Sequence, residues 1–302
     1  MNKQIYELIF DINSNGNGIV NYDSNDQKKV LKNTHLWDPH QNVNYAKKSI
    51  NGNGVDMTYK INVSSGCLRH WMFADGGSMQ NTKDVTMATI FSASPTGLIR
   101  GYLFPELGLK RTSPLSITPA QQICNAVSKL DLHTRYGEKG EADDTKSDTT
   151  LFKKETVGDI SYRSKHCSIS IEALQYFSMS SVCDRMALNP DDIDLFKSVC
   201  LDKDLTTGYF VKAPYNTPEF MIRFSDKHVD DLVKETLKRC LNIRINKSGS
   251  YFETTSLDMY DSKFKVVTED KVSLESEKAI DDYVDSITFA DVFNSVEKPQ
   301  KS

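Results

Sequence analysis

Residues 225–260 read SDKHVDDLVKETLKRCLNIRINKSGSYFETTSLDMY, and this stretch decides the fold. Ser225 followed by Asp226 is a helix-start signal. Behind it Val229, Leu232, Val233, Thr236, Leu237, Cys240 and Leu241 recur at helical spacing, the mark of a helix that buries one face. Residues 242–268 then read as a long strand or hairpin with its turn at Ser248-Gly249. A helix leading straight into strands implies a sheet, and the other strands lie upstream.

Residues 5–12 are short, apolar and closed by an Asn/Gly turn cluster at 13–18, which predicts a strand. Val55, Met57, Tyr59, Ile61 and Val63 alternate and predict another. Ser64-Ser65 starts a short helix with Leu68, Trp71 and Met72, stopped by Gly76-Gly77. Residues 83–92 predict a helix with Val85, Thr89 and Ile90 on one side. Thr118-Pro119-x-Gln121 forms a capping box with proline at the first helical position, ahead of Ile123, Val127 and Leu130. Asn189-Pro190-x-Asp192 starts a helix carrying Ile193, Phe196 and Val199. Ile169, Ile171 and Ala173 alternate with polar residues and predict a half-buried strand, and 206–224 reads as one or two strands broken by Pro214 and Pro218.

Without its long inserts the order is strand (5–12), helix (119–131), strand (168–179), strand (206–224), helix (226–241), strand (242–260). This βαββαβ order predicts an α+β fold with a ferredoxin-like palm, the order that RNA-recognition domains also use. Residues 13–118 and 133–167 are the two inserts.

The chain has 302 residues, 38% hydrophobic and 26% charged, enough to bury a sizeable core and too apolar for disorder. No apolar run reaches the ~18–20 residues of a membrane helix, and the N-terminus has no signal-type apolar core, so a cytoplasmic protein is expected. Six cysteines (Cys67, Cys124, Cys167, Cys183, Cys200, Cys240) stand apart without a CxxC pair, which favours reduced thiols over disulfides or zinc. The net charge of −4 hides a gradient. Residues 255–302 carry −5, and residues 47–112 carry +4, so a polyanion site belongs to the basic stretch, which opens with Lys47 and Lys48.

Within that stretch Lys110-Arg111-Thr112-Ser113-Pro114-Leu115 joins two cations to two hydroxyls in a loop that Pro114 keeps irregular. Phosphates need this mixture, and a solvated loop is the equal alternative. Arg69-His70 sits early in a predicted helix, where free N–H groups favour an anion, against the simpler reading of a surface Arg and a His beside Trp71. Arg100-Gly101-Tyr102-Leu103-Phe104 resembles half of an aromatic RNA-binding strand, interrupted by Pro105. Residues 134–165 hold seven Lys/Arg and seven Asp/Glu and predict a solvated arm. In that arm Leu151-Phe152 followed by Lys153-Lys154 forms either a nucleic-acid wedge or an anchor to the body. Asp11-x-Asn13-x-Asn15-Gly16 imitates a calcium loop but has Tyr22 where the bidentate Glu belongs. No GxSxG, Walker loop, HExxH or Cys/His pairing is present, the six histidines are scattered, and Asp23, Asp26 and Asp38 read as solvated loop carboxylates. No catalytic residue, metal or cofactor is expected.

Several segments together resemble a known family. They are Cys67-Leu68-Arg69-His70, Thr96-Gly97-Leu98-Ile99-Arg100-Gly101-Tyr102, the run 110–115, Gly158-Asp159, Ser168-Ile169-Ser170-Ile171-Glu172-x-Leu174-Gln175, Asp184-Arg185 and Val233-x-Glu235-Thr236-Leu237. In order and approximate spacing they resemble the backbone subunit of the minimal variant of type I-F CRISPR interference complexes, in the Cas-seven group of the RAMP superfamily. The resemblance spans roughly residues 5–265, and its specific parts are 96–115 and 168–175.

The resemblance implies a single domain. Its palm would come from 1–12, 116–132 and 168–265, with a finger-like insert 13–115, a thumb-like insert 133–167 and an acidic tail 268–302. It implies a non-catalytic subunit that polymerises head to tail along crRNA and presents the guide for pairing with target DNA in antiviral defence. Implied partners are crRNA, target DNA through the guide, further copies of the chain, a 5′-end capping subunit, a crRNA-processing endonuclease and a recruited helicase-nuclease. RNA contacts are expected from Lys47, Lys48, Arg69, His70, Arg100, Lys110, Arg111, Thr112, Ser113, Lys153, Lys154 and Arg185, with Leu151 and Phe152 as the thumb wedge. The competing readings are a metal-dependent RNA endonuclease on the same palm, with Asp23 or Asp26 as the acting carboxylate, and an unrelated architectural protein that binds through its acidic tail.

Overall fold

Ile5–Ser14 is the strand on which the largest sheet is built. Its register is antiparallel on both sides: Leu8 faces Cys167 of Ser161–Ser170 and Met259 of Ser250–Tyr260. The structure, a computed structural model, describes residues 5–14, 18–22, 29–31, 34–38, 43–45, 60–74, 82–123, 127–136, 149–158, 161–180, 186–212, 217–247, 250–260, 271–287 and 293–297. The helices are α1 (Ser65–Met72), α2 (Val85–Ala93), α3 (Pro95–Arg100), α4 (Ile171–Gln175), α5 (Ile193–Val199), α6 (Asp226–Leu241) and α7 (Glu277–Asp285). Mixed helices and antiparallel strands make this an α+β fold.

The ten-stranded sheet runs Arg244–Lys247, Ser250–Tyr260, Ile5–Ser14, Ser161–Ser170, Ala120–Gln122, Lys60–Val63, Thr34–Asp38, Val43–Tyr45. Lys271–Ser273 also pairs with Ser250–Tyr260, and Leu115–Ser116 with Ser161–Ser170. A second sheet joins Val127–Tyr136, Thr149–Gly158, Gly18–Tyr22 and Lys29–Leu31. A third joins Tyr176–Ser178, Glu219–Arg223, Thr206–Lys212 and Phe293–Val296, and a hairpin pairs Tyr102–Phe104 with Leu109–Arg111.

The core follows from α6. Ser225 caps it by accepting from His228 N at 3.3 Å, and the stripe from Val229 to Cys240 is buried. It packs on the sheet with Leu257 and Met259, on Leu174 of α4, and on Ile280 and Val284 of α7. Helix α7 lies in the acidic tail and was not anticipated. Its Asp285 and Asp281 reach Lys234 and Lys238 of α6 at 2.6 and 2.8 Å, so part of the tail's negative charge faces the body's positive charge. Cys167, Cys200 and Cys240 are free thiols.

Three sequence expectations are corrected. The described residues of the helix expected at 119–131 are strands instead: Ala120–Gln122 pairs with Lys60–Val63 and Ser161–Ser170, and Val127–Tyr136 pairs with Thr149–Gly158. The hydroxyl of Thr118, expected to cap a helix, donates across the sheet to the Lys165 carbonyl, and the Thr118 carbonyl accepts from Ser164 Oγ at 2.7 Å. Sheet pairing thus overrides a local capping signal. The strand expected at 168–179 ends at Ser170, whose Oγ accepts from Ala173 N at 3.2 Å and starts α4. In α2 the inward face holds Ala88, Thr89, Phe91 and Ser92, while Val85 and Ile90 are exposed.

The expected arm contains a paired strand, Thr149–Gly158, bound on both edges. Of the strand expected at 55–63, residues 60–63 are a strand and 55–59 lie outside the described residues. The helices expected at 65, 83, 189 and 225, and the 244–260 hairpin, are present. Among the described residues no helix is long and apolar enough to cross a membrane.

Candidate nucleic-acid interface

Two short helices and one hairpin bring cations to a common cleft. Helix α1 starts where Ser64 Oγ accepts from Cys67 N at 3.2 Å. It buries Leu68 and Met72, which leaves Arg69 half-buried and His70 exposed. Helix α3 starts at Pro95 under a Ser94 cap, accepting from Gly97 N at 3.1 Å, and ends at Arg100. Gly101 then turns the chain with φ 74°. A Cβ there would lie 2.5 Å from the Arg111 carbonyl oxygen and 2.8 Å from Ser113 N, so only glycine fits this close approach. Arg69, His70, Arg100, Tyr102 and Arg111 line the resulting cleft of about 490 Å³, with Gly66 and Gly101 completing it. None of these residues is acidic.

The last three carbonyls of α3 have no partner inside the helix, and three side chains from elsewhere supply one each. Arg111 Nε donates to Leu98 O at 3.1 Å, Ser113 Oγ to Ile99 O at 2.8 Å, and Arg69 Nη2 to Arg100 O at 3.3 Å. Arg69 Nη1 also donates to Leu115 O at 2.7 Å, and Arg111 Nη2 to Ala173 O at 2.7 Å. The Arg111 guanidinium stacks over Phe177 at 4.7 Å and is only 8% exposed. Burial pushes its pKa down to about 10, partly opposed by Tyr102, so it stays charged at neutral pH. Burial and the neighbouring charge of Arg100 lower Arg69. Tyr102 donates to the Ala187 carbonyl at 2.6 Å, and burial raises its phenol.

These contacts revise the reading of 110–115 as a phosphate loop. Along Leu109–Arg111 side chains alternate, so Arg111 shares the buried side of Leu109. Arg111 and Ser113 point inward and cap α3. Lys110 is half-buried and Thr112 exposed, and neither lines the cleft. The structure therefore brings Arg69, His70 and Arg100 together, with Arg111 as a buried cationic floor. Gly101 and Tyr102, expected only as part of an aromatic strand, also line the cleft. The turn's signal was a glycine placed between a helix end and a strand.

The remaining expected residues lie elsewhere. Leu151, Phe152, Lys153 and Lys154 stand in Thr149–Gly158, opposite Thr134, His133, Leu132 and Asp131. Lys47, Lys48 and Arg185 lie outside the described residues, as do Asp23 and Asp26. Among the described residues no group of three or more His, Cys, Asp or Glu could hold a metal ion.

A cluster of guanidinium groups with no carboxylate among the lining residues attracts anions. Planar N–H forks suit phosphate oxygens, and the carbonyls that hold Arg69 fix its orientation before a ligand arrives. One family model matches residues 5–287, described as "Type I-Fv CRISPR-associated protein Cas7fv-like". No curated protein matches the chain. Among solved structures, one described as "CRISPR RNA-guided surveillance complex" has a TM-score of 0.37 and 9% identity, over 86% of this chain and 71% of that one. Another, "CRISPR RNA-guided surveillance complex, pre-nicking", has 0.40 and 7%, over 86% and 80%.

Proposed function

Because the chain belongs to the type I-Fv Cas7fv-like family of CRISPR-associated proteins, we propose that it is a non-catalytic, crRNA-binding backbone subunit of a type I-F variant Cascade. Copies polymerise head to tail along the guide and leave its bases free to pair with target DNA. The observation that carries this reading is the cationic cleft, in which Arg69 and Arg100 lie beside His70 over the buried Arg111. Phosphate contacts of this kind hold a nucleic acid without reading its sequence, as a guide-binding subunit must.

The sheet order supports a ferredoxin-like palm whose members differ from those expected. Ile5–Ser14, Ala120–Gln122, Ser161–Ser170 and Ser250–Tyr260, counted in chain order, lie in the sheet as fourth, first, third, second. Helix α1 precedes the second of these strands and α6 the fourth, which is an RRM-like βαββαβ arrangement. Lys47, Lys48, Lys110, Thr112, Lys153, Lys154 and Arg185 extend the phosphate path, and Leu151 with Phe152 forms the wedge that kinks the guide. The 5′-end capping subunit and the crRNA-processing endonuclease close the two ends of the filament, and a helicase-nuclease is recruited to it.

Expression with and without a CRISPR array tests the reading. With the array, the purified protein should carry RNA and run as large assemblies, and it should leave complementary RNA intact in Mg²⁺. A monomer free of nucleic acid after co-expression overturns it, and metal-dependent cleavage turns the assignment toward the endonuclease.

A further inference from the structure

We infer that a second cleft, at the head of α6, receives a lysine or arginine side chain from a second copy of this chain. The inference rests on the filament reading and deepens it, because a head-to-tail contact joins two different surfaces of one subunit. The cleft, about 380 Å³, lies between the end of α5 and the first turns of α6. Its walls include Pro95, Leu201 and Leu232, and Leu201 is 67% exposed. Apolar walls of this kind suit the methylene stem of a long cationic side chain.

Its charges are sorted. Asp202 is buried and engaged, accepting from Ser225 N at 2.7 Å and from Asp204 N at 3.0 Å. Glu235 holds Arg239 at 2.7 Å, and Lys203 donates to the last carbonyls of α5, including Ser198 O at 3.2 Å. Asp204 and Asp231 also line the cleft, are exposed, and take part in no ion pair among the described residues. Lys227 is the remaining cation on the lining.

An independent observation points to a ligand at this cleft. His228 lines the same cleft, is only 7% exposed, and its Nε2 has no hydrogen-bond partner. Burial lowers its pKa against the pull of Asp202 and Asp231, so the ring is neutral and tolerates an adjacent cation. A buried polar atom without a partner is costly, and a ligand's N–H donor or an accompanying water would relieve it. The occupant belongs to a second copy because the chain supplies complementary charge itself: the basic stretch 47–112 includes Lys60 and Lys83, which the phosphate path does not use, and of that stretch only Pro95 lines this cleft.

The test uses the full chain on two RNAs, one long enough for a single subunit and one for several, with the double variant Asp204→Lys, Asp231→Lys. Both residues are exposed, away from the cationic cleft. The variant should bind the short RNA as the wild type does and lose about tenfold or more in apparent affinity for the long one, with sedimentation showing separate subunits in place of a continuous array. Equal behaviour on the long RNA overturns the inference and leaves the RNA-binding reading standing. A wild type that binds neither RNA overturns both. A second measurement does not depend on the variant. Deuterium uptake at the His228 ring C–H, followed by mass spectrometry in the wild type, should be slower on the long RNA than on the short one. An unchanged rate overturns the inference.

Discussion

Arg69 Nη2 donates to the main-chain carbonyl of Arg100 at 3.3 Å, so the backbone of one cleft arginine holds the side chain of the other. Two like charges are kept together by a contact that does not depend on charge balance. Their mutual repulsion is relieved when an anion enters.

Replacing Arg100 with Ala should therefore weaken RNA binding by the same factor for every guide sequence. It should also flatten the log–log salt dependence by about one unit per lost phosphate contact. Titrations of several unrelated RNAs across a salt series check this. A loss confined to some sequences would show base readout. Arg69→Ala should show the same uniform loss and also lower stability by about 1–3 kcal/mol, because the Leu115 and Arg100 carbonyls lose their donor.

Arg111 should behave differently. Removing it leaves the Leu98 and Ala173 carbonyls unpaired beneath Phe177, so Arg111→Ala should cost about 2–5 kcal/mol in denaturant unfolding. Arg111→Lys should recover only part, because an ammonium cannot serve both carbonyls and stack on the ring as the planar guanidinium does. Wild-type stability in either variant would remove the capping role.

Acid should act through His228. Burial holds its imidazole below the ordinary 6.5, so just below that pH the unfolded chain binds more protons than the folded one. Its contribution to stability is complete above about pH 6.5 and falls as pH drops through the window beneath it. Asp230, raised by burial to about 6 from 3.8, works in the opposite sense: its contribution is lost as pH rises toward 6. In an Asp230→Asn background the melting temperature should fall between about pH 7.5 and about pH 5.5, and adding His228→Gln should reduce that fall. Parallel curves would exclude the imidazole as the source.

Leu151→Ser with Phe152→Ser should leave the subunit folded and RNA-bound while removing regularly spaced reactive nucleotides from chemical probing of the guide. Unstacking costs a few kcal/mol per step, which burial of two large apolar side chains offsets. Unfolding of the double variant would make the pair part of the body instead.

Elements were legible where one face alone is buried. The stripe from Val229 to Cys240 and the hairpin around Ser248-Gly249 follow from periodicity and turn chemistry. Residues 118–131 were not, because Thr118-Pro119-x-Gln121 satisfies a helix cap locally while the partners that win, Lys60–Val63 and Ser161–Ser170, lie far away in the chain. Arg69, His70 and Arg100 were named from residue type, and the structure brings them to one cleft. The direction of Arg111 was not, although a buried Leu109 two positions earlier on a strand carries that information. The orphaned Nε2 of His228 has no sequence signal, since a helix-start sequence does not say which buried polar atom will lack a partner.

The three-sided capping of α3 bears on how relatives of this protein should be compared. Invariance at Ser113 would record the demands of the protein's own main chain and say nothing about nucleic acid, and at Arg111 those demands alone would be enough to enforce it. Divergence at Arg69 would leave the Arg100 and Leu115 carbonyls without their donor, so Arg69 too would stay under selection for the fold alone. Arg100 accepts the cap through its backbone, which any residue provides, so drift of its side chain would leave that cap in place.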